Sequence, residues 1–147
     1  MAESGCRVGR PVLARFPLNP ILPAGDGARA EAFYRDVLGL DQLSPPGMDP
    51  MAFAAGNGSM IVLTELPDRT PPPYPVVAFL VEGIEQLVSA LADRGVEFVE
   101  PQPASFAGTE GVIDGYVIDF GPVKSTWLRD SEGNILALNE LTPAAAP

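Results

Sequence analysis

Two stretches of the chain repeat one alternation of apolar and polar positions. "GSMIVLTEL" occupies residues 58–66 and "GNILALNEL" occupies residues 133–141. With their glycines aligned, the two stretches also share both leucines and the glutamate of their closing halves. A period of two predicts a β-strand, because successive side chains of a strand point to opposite faces. A strand written twice in this way suggests a duplicated structural unit.

Each of these strands is preceded by a segment with helical spacing. Residues 26–40 place apolar side chains one helical turn apart, at Ala30, Phe33, Tyr34, Val37 and Leu38. We expect Asp26 to cap this helix and Gly39 to end it. A second helix is predicted at about 83–94, with Ile84, Leu87, Val88 and Leu91 on its inner face and Gly95 after its end. Both segments open with an acidic residue and a glycine, so the echo predicts a tandem repeat.

The remaining apolar runs complete two similar modules. Strands are predicted near 51–55 and 59–65 in the first module, and at 76–81, 96–99, 112–119, 123–129 and 134–141 in the second. The prolines of "PVLARFPLNPIL" (11–22) place a further extended segment at a sheet edge. The predicted fold is α+β, with tandem βαββ(β) modules. Its predicted parts are a tail (1–14), the first module (15–66), a proline-rich linker (67–75), the second module (76–141) and a tail (142–147).

Composition excludes several partners. The 147-residue chain has a formal net charge of −10, which argues against nucleic acid and anionic membrane surfaces because both require a basic face. A cationic ligand is permitted, although an acidic surface also serves solubility. Cys6 is the single cysteine, so no internal disulfide is possible. With no apolar signal-peptide run in "MAESGCRVGRPVLARF", we predict a cytoplasmic protein.

Three segments in this order resemble one superfamily. "FYRDVLGL" (33–40), "LADRGVEF" (91–98) and "LRDSEGNILAL" (128–138) look like the vicinal oxygen chelate superfamily of glyoxalases, bleomycin-resistance proteins, extradiol dioxygenases and fosfomycin-resistance enzymes. The resemblance covers about residues 16–141 and implies curled, antiparallel or mixed sheets that enclose a central cavity. It also implies a homodimer. "TEGVIDG", "TWLRDSEGN" and the lack of histidine are most similar to an uncharacterised bacterial branch with no assigned reaction.

The metal site of that superfamily has no counterpart in the side chains of this sequence. The resemblance places the four ligand positions at Asn19, Val62, Val76 (or Pro75) and Ala137. Valine and alanine offer no donor atom, and the amide oxygen of Asn19 is a weak ligand for a divalent cation. We therefore predict no metal and no other cofactor.

The same positions predict an apolar pocket wall instead. Alternation directs Met60, Val62 and Thr64 inward in the first module, and Ile135, Ala137 and Asn139 in the second. Together with Asn19, Val76 and the aromatic residues Tyr116 and Trp127, they form the predicted ligand-binding set. Glu65 and Glu140 are out of phase and should point away from the cavity. Ordinary core packing is the alternative interpretation of each apolar residue.

Two main functional classes remain open. The first is a non-catalytic binder of a small hydrophobic or cationic molecule. The second is a metal-independent lyase, isomerase or cyclase that uses the carboxylates of Glu110, Asp114 and Asp119, although these also fit a solvated acidic loop. An interaction module with a collapsed cavity is a third possibility. We favour the binder, because no histidine is present to activate a nucleophile.

Overall fold

The computed structural model describes residues 12–143, which form a tandem of strand and helix units. The elements of the first unit are β1 (Ile21–Ala24), α1 (Gly27–Ala32), β2 (Asp41–Gln42), β3 (Met51–Ala54) and β4 (Met60–Glu65). The second unit contains β5 (Pro75–Leu80), α2 (Ile84–Asp93), β6 (Glu97–Phe98), β7 (Ser105–Phe106), β8 (Thr109–Glu110), β9 (Val112–Asp114), β10 (Val117–Asp119), β11 (Val123–Arg129) and β12 (Ile135–Leu141). Cys6 and most of the predicted tails 1–14 and 142–147 lie outside the described residues.

The two sheets follow the same local plan. The first has the order β1-β4-β3-β2, and the second has the order β5-β12-β11-β10-β9, with β6 pairing separately to β11. In each sheet the opening strand runs parallel to the closing strand, so β1 pairs with β4 and β5 pairs with β12. The duplicated strands β4 and β12 therefore occupy equivalent places. The α+β fold with mixed sheets is confirmed, and the sheets are not closed into a barrel.

Both predicted helices form where the apolar spacing placed them. The Asp26 carboxylate accepts a hydrogen bond from the Arg29 amide at 3.1 Å, and Gly39 has the positive φ of 77° that ends this helix. Beyond Ala32 the chain continues as a π-helical turn over Phe33–Val37, in which the Leu38 amide donates to the Phe33 carbonyl. The spacing of apolar residues fits both helix types, so the wider turn was not predicted.

The prediction of one strand over 112–119 is wrong. This segment forms β9 and β10, which pair as an antiparallel hairpin in which Asp114 lies opposite Val117. The turn between them holds Gly115 at a φ of 63°, and glycine at the first of two turn residues suits such tight hairpin turns. The short strand β2 and the small hairpin β7–β8 were also not predicted, because two-residue strands leave too little pattern to recognise.

One hydrophobic core serves both modules. Its buried cluster includes Leu22, Phe53 and Leu63 of the first module and Leu128, Leu136 and Leu138 of the second. These residues lie on the sheet faces that the helices cover. The opposite faces are open, as the exposed side chains of Ile21 (68%) and Leu80 (74%) show. Among residues 12–143, no helix has the length and apolar character needed to cross a membrane.

A buried polar network joins the β11–β12 loop to the first helix. The Asp130 carboxylate accepts hydrogen bonds from the Tyr34 hydroxyl at 2.5 Å, from the Asn134 side-chain amide at 2.9 Å, and from the backbone amides of Glu132 and Asn134 at 2.8 Å. Burial raises the pKa of Asp130, although these hydrogen bonds oppose the shift. Burial and the neighbouring Asp130 charge also raise the pKa of Tyr34, so its hydroxyl stays protonated and donates.

An ion pair strengthens the same contact. Glu132 accepts two hydrogen bonds from the Arg29 guanidinium, at 2.9 and 3.0 Å, and a third from the Asp26 amide at 2.8 Å. Burial alone would raise the pKa of Glu132, but these bonds and a hydrogen bond from the Ser131 hydroxyl outweigh it, and the pKa is lowered. The Asn134 side-chain amide also donates to the Pro23 carbonyl at 2.8 Å. The loop over residues 130–134 therefore holds the two modules together.

The glutamates of the repeated strands cap the helices. Glu65 accepts a hydrogen bond from the Gly27 amide at 2.9 Å, at the start of α1. Glu140 accepts from the amides of Gly83 and Ile84, at 2.9 and 3.1 Å, at the start of α2. The first amides of a helix lack acceptors within the helix, and a carboxylate also suits the positive end of its dipole. The repeated glutamate thus ties each closing strand to the helix of its own module.

Glu140→Ala is expected to lower the free energy of unfolding by about 1 kcal/mol, the usual effect of losing a helix cap. Glu65→Ala should cost less, because Glu65 accepts one helix amide where Glu140 accepts two. Urea denaturation of both variants measures the difference. Glu140→Gln is the matched control and should recover part of the loss, since it keeps one acceptor oxygen. Equal stability of wild type and Glu140→Ala would contradict the capping role.

Candidate functional site

A cavity of about 650 Å³ lies on the open face of the second sheet. Its floor consists of two rows of side chains from the paired strands β5, β12 and β11. Asn139 of β12 lies between Leu80 of β5 and Ser125 of β11, and these residues form one row across the strands. Leu141 and Val123 form the next row. Because side chains alternate along a strand, these rows lie on the face opposite the core residues Leu136 and Leu138.

Aromatic rings form a wall beside this floor. Phe120 follows β10, and Phe106 reaches it from the β7–β8 hairpin, with the ring centroids 5.9 Å apart. Both rings line the cavity, and Pro122 and Thr142 line it as well. The lining is therefore mostly apolar, which suits a ligand that buries carbon surface.

One polar pair stands in the floor. The Ser125 hydroxyl donates to the Asn139 side-chain oxygen at 2.8 Å. Within residues 12–143, the amide nitrogen of Asn139 has no acceptor, whereas Thr142 already donates to the carbonyl of Gly121 at 2.7 Å. No charged side chain of the described residues lines this cavity. Asn139 can therefore donate a hydrogen bond to a ligand, in a cavity without charged side chains.

The predicted wall residues lie on the expected strands, but among the described residues only Asn139 of the predicted set lines this cavity. Met60, Val62 and Thr64 are half-buried on β4 and alternate with the buried core residues Ile61 and Leu63. On β12, Ile135 and Ala137 are buried and Asn139 lines the cavity. Trp127 is paired with Ala137, so its exposed ring belongs to the same face of the second sheet.

Three further predicted residues lie off the open faces of the sheets. Asn19 is exposed in the segment before β1. Val76 packs against the core, beside a register shift between β5 and β12. Tyr116 lies in the turn between β9 and β10, where its ring stacks on the core residue Phe98 at 5.3 Å. The structure therefore does not bring Tyr116 and Trp127 together as one aromatic wall.

Sequence reasoning missed most of the cavity lining. Ser125 and Leu141 follow from the alternation that selected Trp127 and Asn139, and extending that alternation would have found them. Leu80 follows in the same way on β5. Phe106 had no such signal, because it belongs to the hairpin that was not predicted, and its position depends on how that hairpin folds back over β10.

The positions of the superfamily's metal ligands do not fit a metal in this chain. Val62 and Ala137 present carbon atoms on their strands, Val76 packs against the core, and Asn19 is exposed outside the sheets. Within residues 12–143, no three His, Cys, Asp or Glu side chains come together as ligands for a metal ion. Chemistry routed through a bound metal therefore finds no suitable donors at these positions.

The acidic segment does not contribute to the cavity. Glu110 and Asp114 are exposed, and Asp119 accepts a hydrogen bond from the Gly121 amide at 2.8 Å. None of these three described carboxylates lines the cavity. The arrangement that an acid–base enzyme would need, with carboxylates facing a bound substrate, is not present in this part of the chain.

Sequence and structure comparisons agree with this architecture. The sequence profile of the Glyoxalase/Bleomycin resistance protein/Dioxygenase superfamily matches residues 17–138. The chain belongs to this superfamily. The match covers most of both modules. Among curated proteins, no sequence matches the chain.

Several solved structures share the superfamily fold. A glyoxalase family protein from Bacillus anthracis is 19% identical, with a TM-score of 0.64 over 86% of this chain and 96% of its own. A lactoylglutathione lyase from Agrobacterium tumefaciens is 18% identical, with a TM-score of 0.58 over 84% and 92%. The fosfomycin resistance protein FosX from Listeria monocytogenes is 15% identical, with a TM-score of 0.59 over 86% and 91%. At these low identities, the likeness shows a shared fold and nothing more.

Proposed function

We propose that this superfamily member binds a small, mainly apolar molecule without a metal ion, in the cavity on the open face of the second sheet. The observation that carries the proposal is the cavity of about 650 Å³, whose lining is apolar apart from Asn139, Ser125 and Thr142. Burial of apolar surface supplies about 25 cal/mol per Å² before the costs of association. A cavity of this size suits a ligand of one to three fused rings.

The floor also indicates which functional group the ligand carries. The side-chain amide of Asn139 is available to donate, because its oxygen already accepts from Ser125. A carbonyl or ether oxygen on the ligand would complete this pair. The formal net charge of −10 disfavours anions, and the lining offers no carboxylate to hold a cation. We therefore place neutral ligands first and cationic ligands second.

We further propose that the protein acts in the cytoplasm, without a cofactor, as a homodimer. A single cysteine leaves no internal disulfide to require an oxidising compartment. Exposed apolar side chains on the open face of the first sheet, such as Ile21, would be covered by a second copy. Light scattering after size-exclusion chromatography measures the oligomeric state, and a monomer at micromolar concentration would contradict this part of the proposal.

Calorimetry with matched naphthalenes tests the ligand class. We expect 2-acetylnaphthalene and the corresponding trimethylammonium compound to bind, and 2-naphthoate to bind more weakly than either. Asn139→Leu should weaken 2-acetylnaphthalene about 5-fold, the effect of one lost hydrogen bond, and leave 2-isopropylnaphthalene unchanged. Asn19→Leu is the matched control, since Asn19 lies outside the cavity. Native mass spectrometry of protein from its own host would show a retained ligand.

Two results would contradict the proposal. One is the absence of binding by every neutral and cationic naphthalene. The other is elemental analysis that finds about one zinc, nickel, manganese or iron ion per chain. Turnover of a bound compound would instead support the alternative of a metal-independent enzyme.

A further inference from the structure

The β7–β8 hairpin is a small element placed over the cavity. Its two strands pair with each other and with no other strand of the described chain. At its tip, Ala107 and Gly108 both have positive φ, as a tight two-residue turn requires. Phe106 projects from this hairpin onto Phe120 and lines the cavity, yet 51% of its surface remains exposed. The hairpin thus holds a large apolar ring half in solvent.

The base of the hairpin, by contrast, is closely packed. The Gly111 amide donates to the Ala104 carbonyl at 2.9 Å and closes the hairpin. A Cβ atom at Gly111 would lie 2.4 Å from Ile118 and 2.8 Å from Phe120, which leaves no room for any side chain. Ile118 of β10 is paired with the cavity residue Ser125, and Phe120 lies two residues further along the chain in the cavity lining, so the hairpin base rests on the cavity side of the sheet.

We infer that residues 104–111 form an aromatic clamp, in which Phe106 closes over a flat ligand and selects planar rings. This inference rests on the proposed function, because it concerns the same cavity. Gly111 fixes the base of the hairpin against the sheet. The two short strands that extend from this base pair only with each other, which allows Phe106 to move. A bound ring covers the exposed phenyl group, which gains burial and an edge or stacked contact between aromatic rings.

The chemistry of the two walls defines the ligand class further. Asn139 on the floor donates to an oxygen, and Phe106 and Phe120 contact the face or edge of a ring. A planar aromatic ketone makes favourable contacts with both the floor and the aromatic wall. A saturated ring system of the same size satisfies the floor alone, because it has no π-system and does not lie flat against a phenyl ring.

Phe106→Ala tests the clamp in the full-length protein. We expect it to weaken 2-acetylnaphthalene about 10-fold and the saturated 2-acetyldecalin at most 3-fold, so the preference for the planar ligand falls. Phe106→Leu should keep binding of the decalin and lose part of the planar preference. Val112→Ala is the matched control, since Val112 is exposed beside the hairpin and does not line the cavity.

Hydrogen exchange supplies a second measurement that does not depend on a variant. Saturating 2-acetylnaphthalene should slow exchange of the amides in residues 105–110 at least several-fold, while the exposed β9 edge is unaffected. Gly111→Ala displaces the hairpin base and should reduce the planar preference as Phe106→Ala does, although Phe106 itself is unchanged.

The outcomes separate this inference from the proposed function. If no naphthalene binds the wild-type protein, the proposed function fails and the clamp fails with it. If 2-acetylnaphthalene binds but Phe106→Ala leaves the planar preference unchanged, the cavity binds ligand without a clamp. Unchanged exchange in residues 105–110 on binding would overturn the clamp in the same way.

Discussion

Asp130→Ala is expected to lower the free energy of unfolding by about 3–5 kcal/mol, because it leaves several buried hydrogen-bond donors without an acceptor. The Asp130 carboxylate accepts from the Tyr34 hydroxyl, the Asn134 side chain and two backbone amides, and the residue is 6% exposed. Alanine removes every acceptor at once. Each buried donor left without a partner costs about 1–3 kcal/mol. Chemical denaturation monitored by circular dichroism measures the change.

Asp130→Asn is the matched control for this prediction. It keeps one side-chain oxygen for the two backbone amides, and its new amide faces the Asn134 donor, so we expect a loss of about 1–2 kcal/mol. A loss from Asp130→Ala that is no larger than the loss from Asp130→Asn would contradict the network's importance.

The difference in stability between wild type and Asp130→Asn should depend on pH. The pKa of Asp130 is raised in the folded state, so this group contributes most stability below its unfolded pKa and loses that contribution as pH rises through the folded pKa. Asp130→Asn does not titrate at this position. The free energy of unfolding of wild type and that of Asp130→Asn should therefore become more similar as pH rises from the unfolded pKa to the folded pKa. A difference that widens would contradict a raised pKa for Asp130.

Phe53→Ala is expected to cost about 3–5 kcal/mol, the usual cost of deleting a buried phenyl ring. Phe53 is fully buried in the shared core, and its ring centroid lies 5.8 Å from that of Tyr34. The cavity left behind would loosen the helix that carries Tyr34, and with it the contact to the second module. Thermal and urea denaturation should show the loss.

Phe16→Ala is the matched control, because Phe16 is 60% exposed. Removing the same ring there should change stability by less than about 0.5 kcal/mol, as surface substitutions usually do. Similar losses in the two variants would mean that the core does not depend on Phe53 in the way its burial indicates.

Local patterns determined the two helices and the longer strands. The helical spacing before Gly39 and Gly95 and the alternation in β4 and β12 are properties of short stretches, so they are readable without any tertiary contact. The N-cap at Asp26 follows from the same kind of local rule and is confirmed by its hydrogen bond to Arg29. The ordered motifs also indicated the superfamily, which the profile match confirms.

The pairing of elements was decided by tertiary structure. The sequence placed Glu65 and Glu140 away from the cavity, but their capping of the helices depends on a parallel strand that brings each glutamate beside the helix start. Likewise, nothing local shows that Asp130 meets Tyr34, since these residues lie 96 positions apart. Contacts between residues so far apart in the sequence depend on how the two modules pack.

The candidate site divides in the same way. Alternation alone placed Asn139 and Trp127 on one face of the second sheet, because the period of a strand fixes which side chains share a face. Which of these residues line a cavity depends on the hairpin that carries Phe106, and on Gly111, whose lack of a side chain lets the base of this hairpin pack against Ile118 and Phe120. The sequence by itself therefore determined the helices, the longer strands and the faces of those strands. The tertiary structure decided where the open face becomes a pocket, because a pocket forms from segments that meet only after the chain has packed.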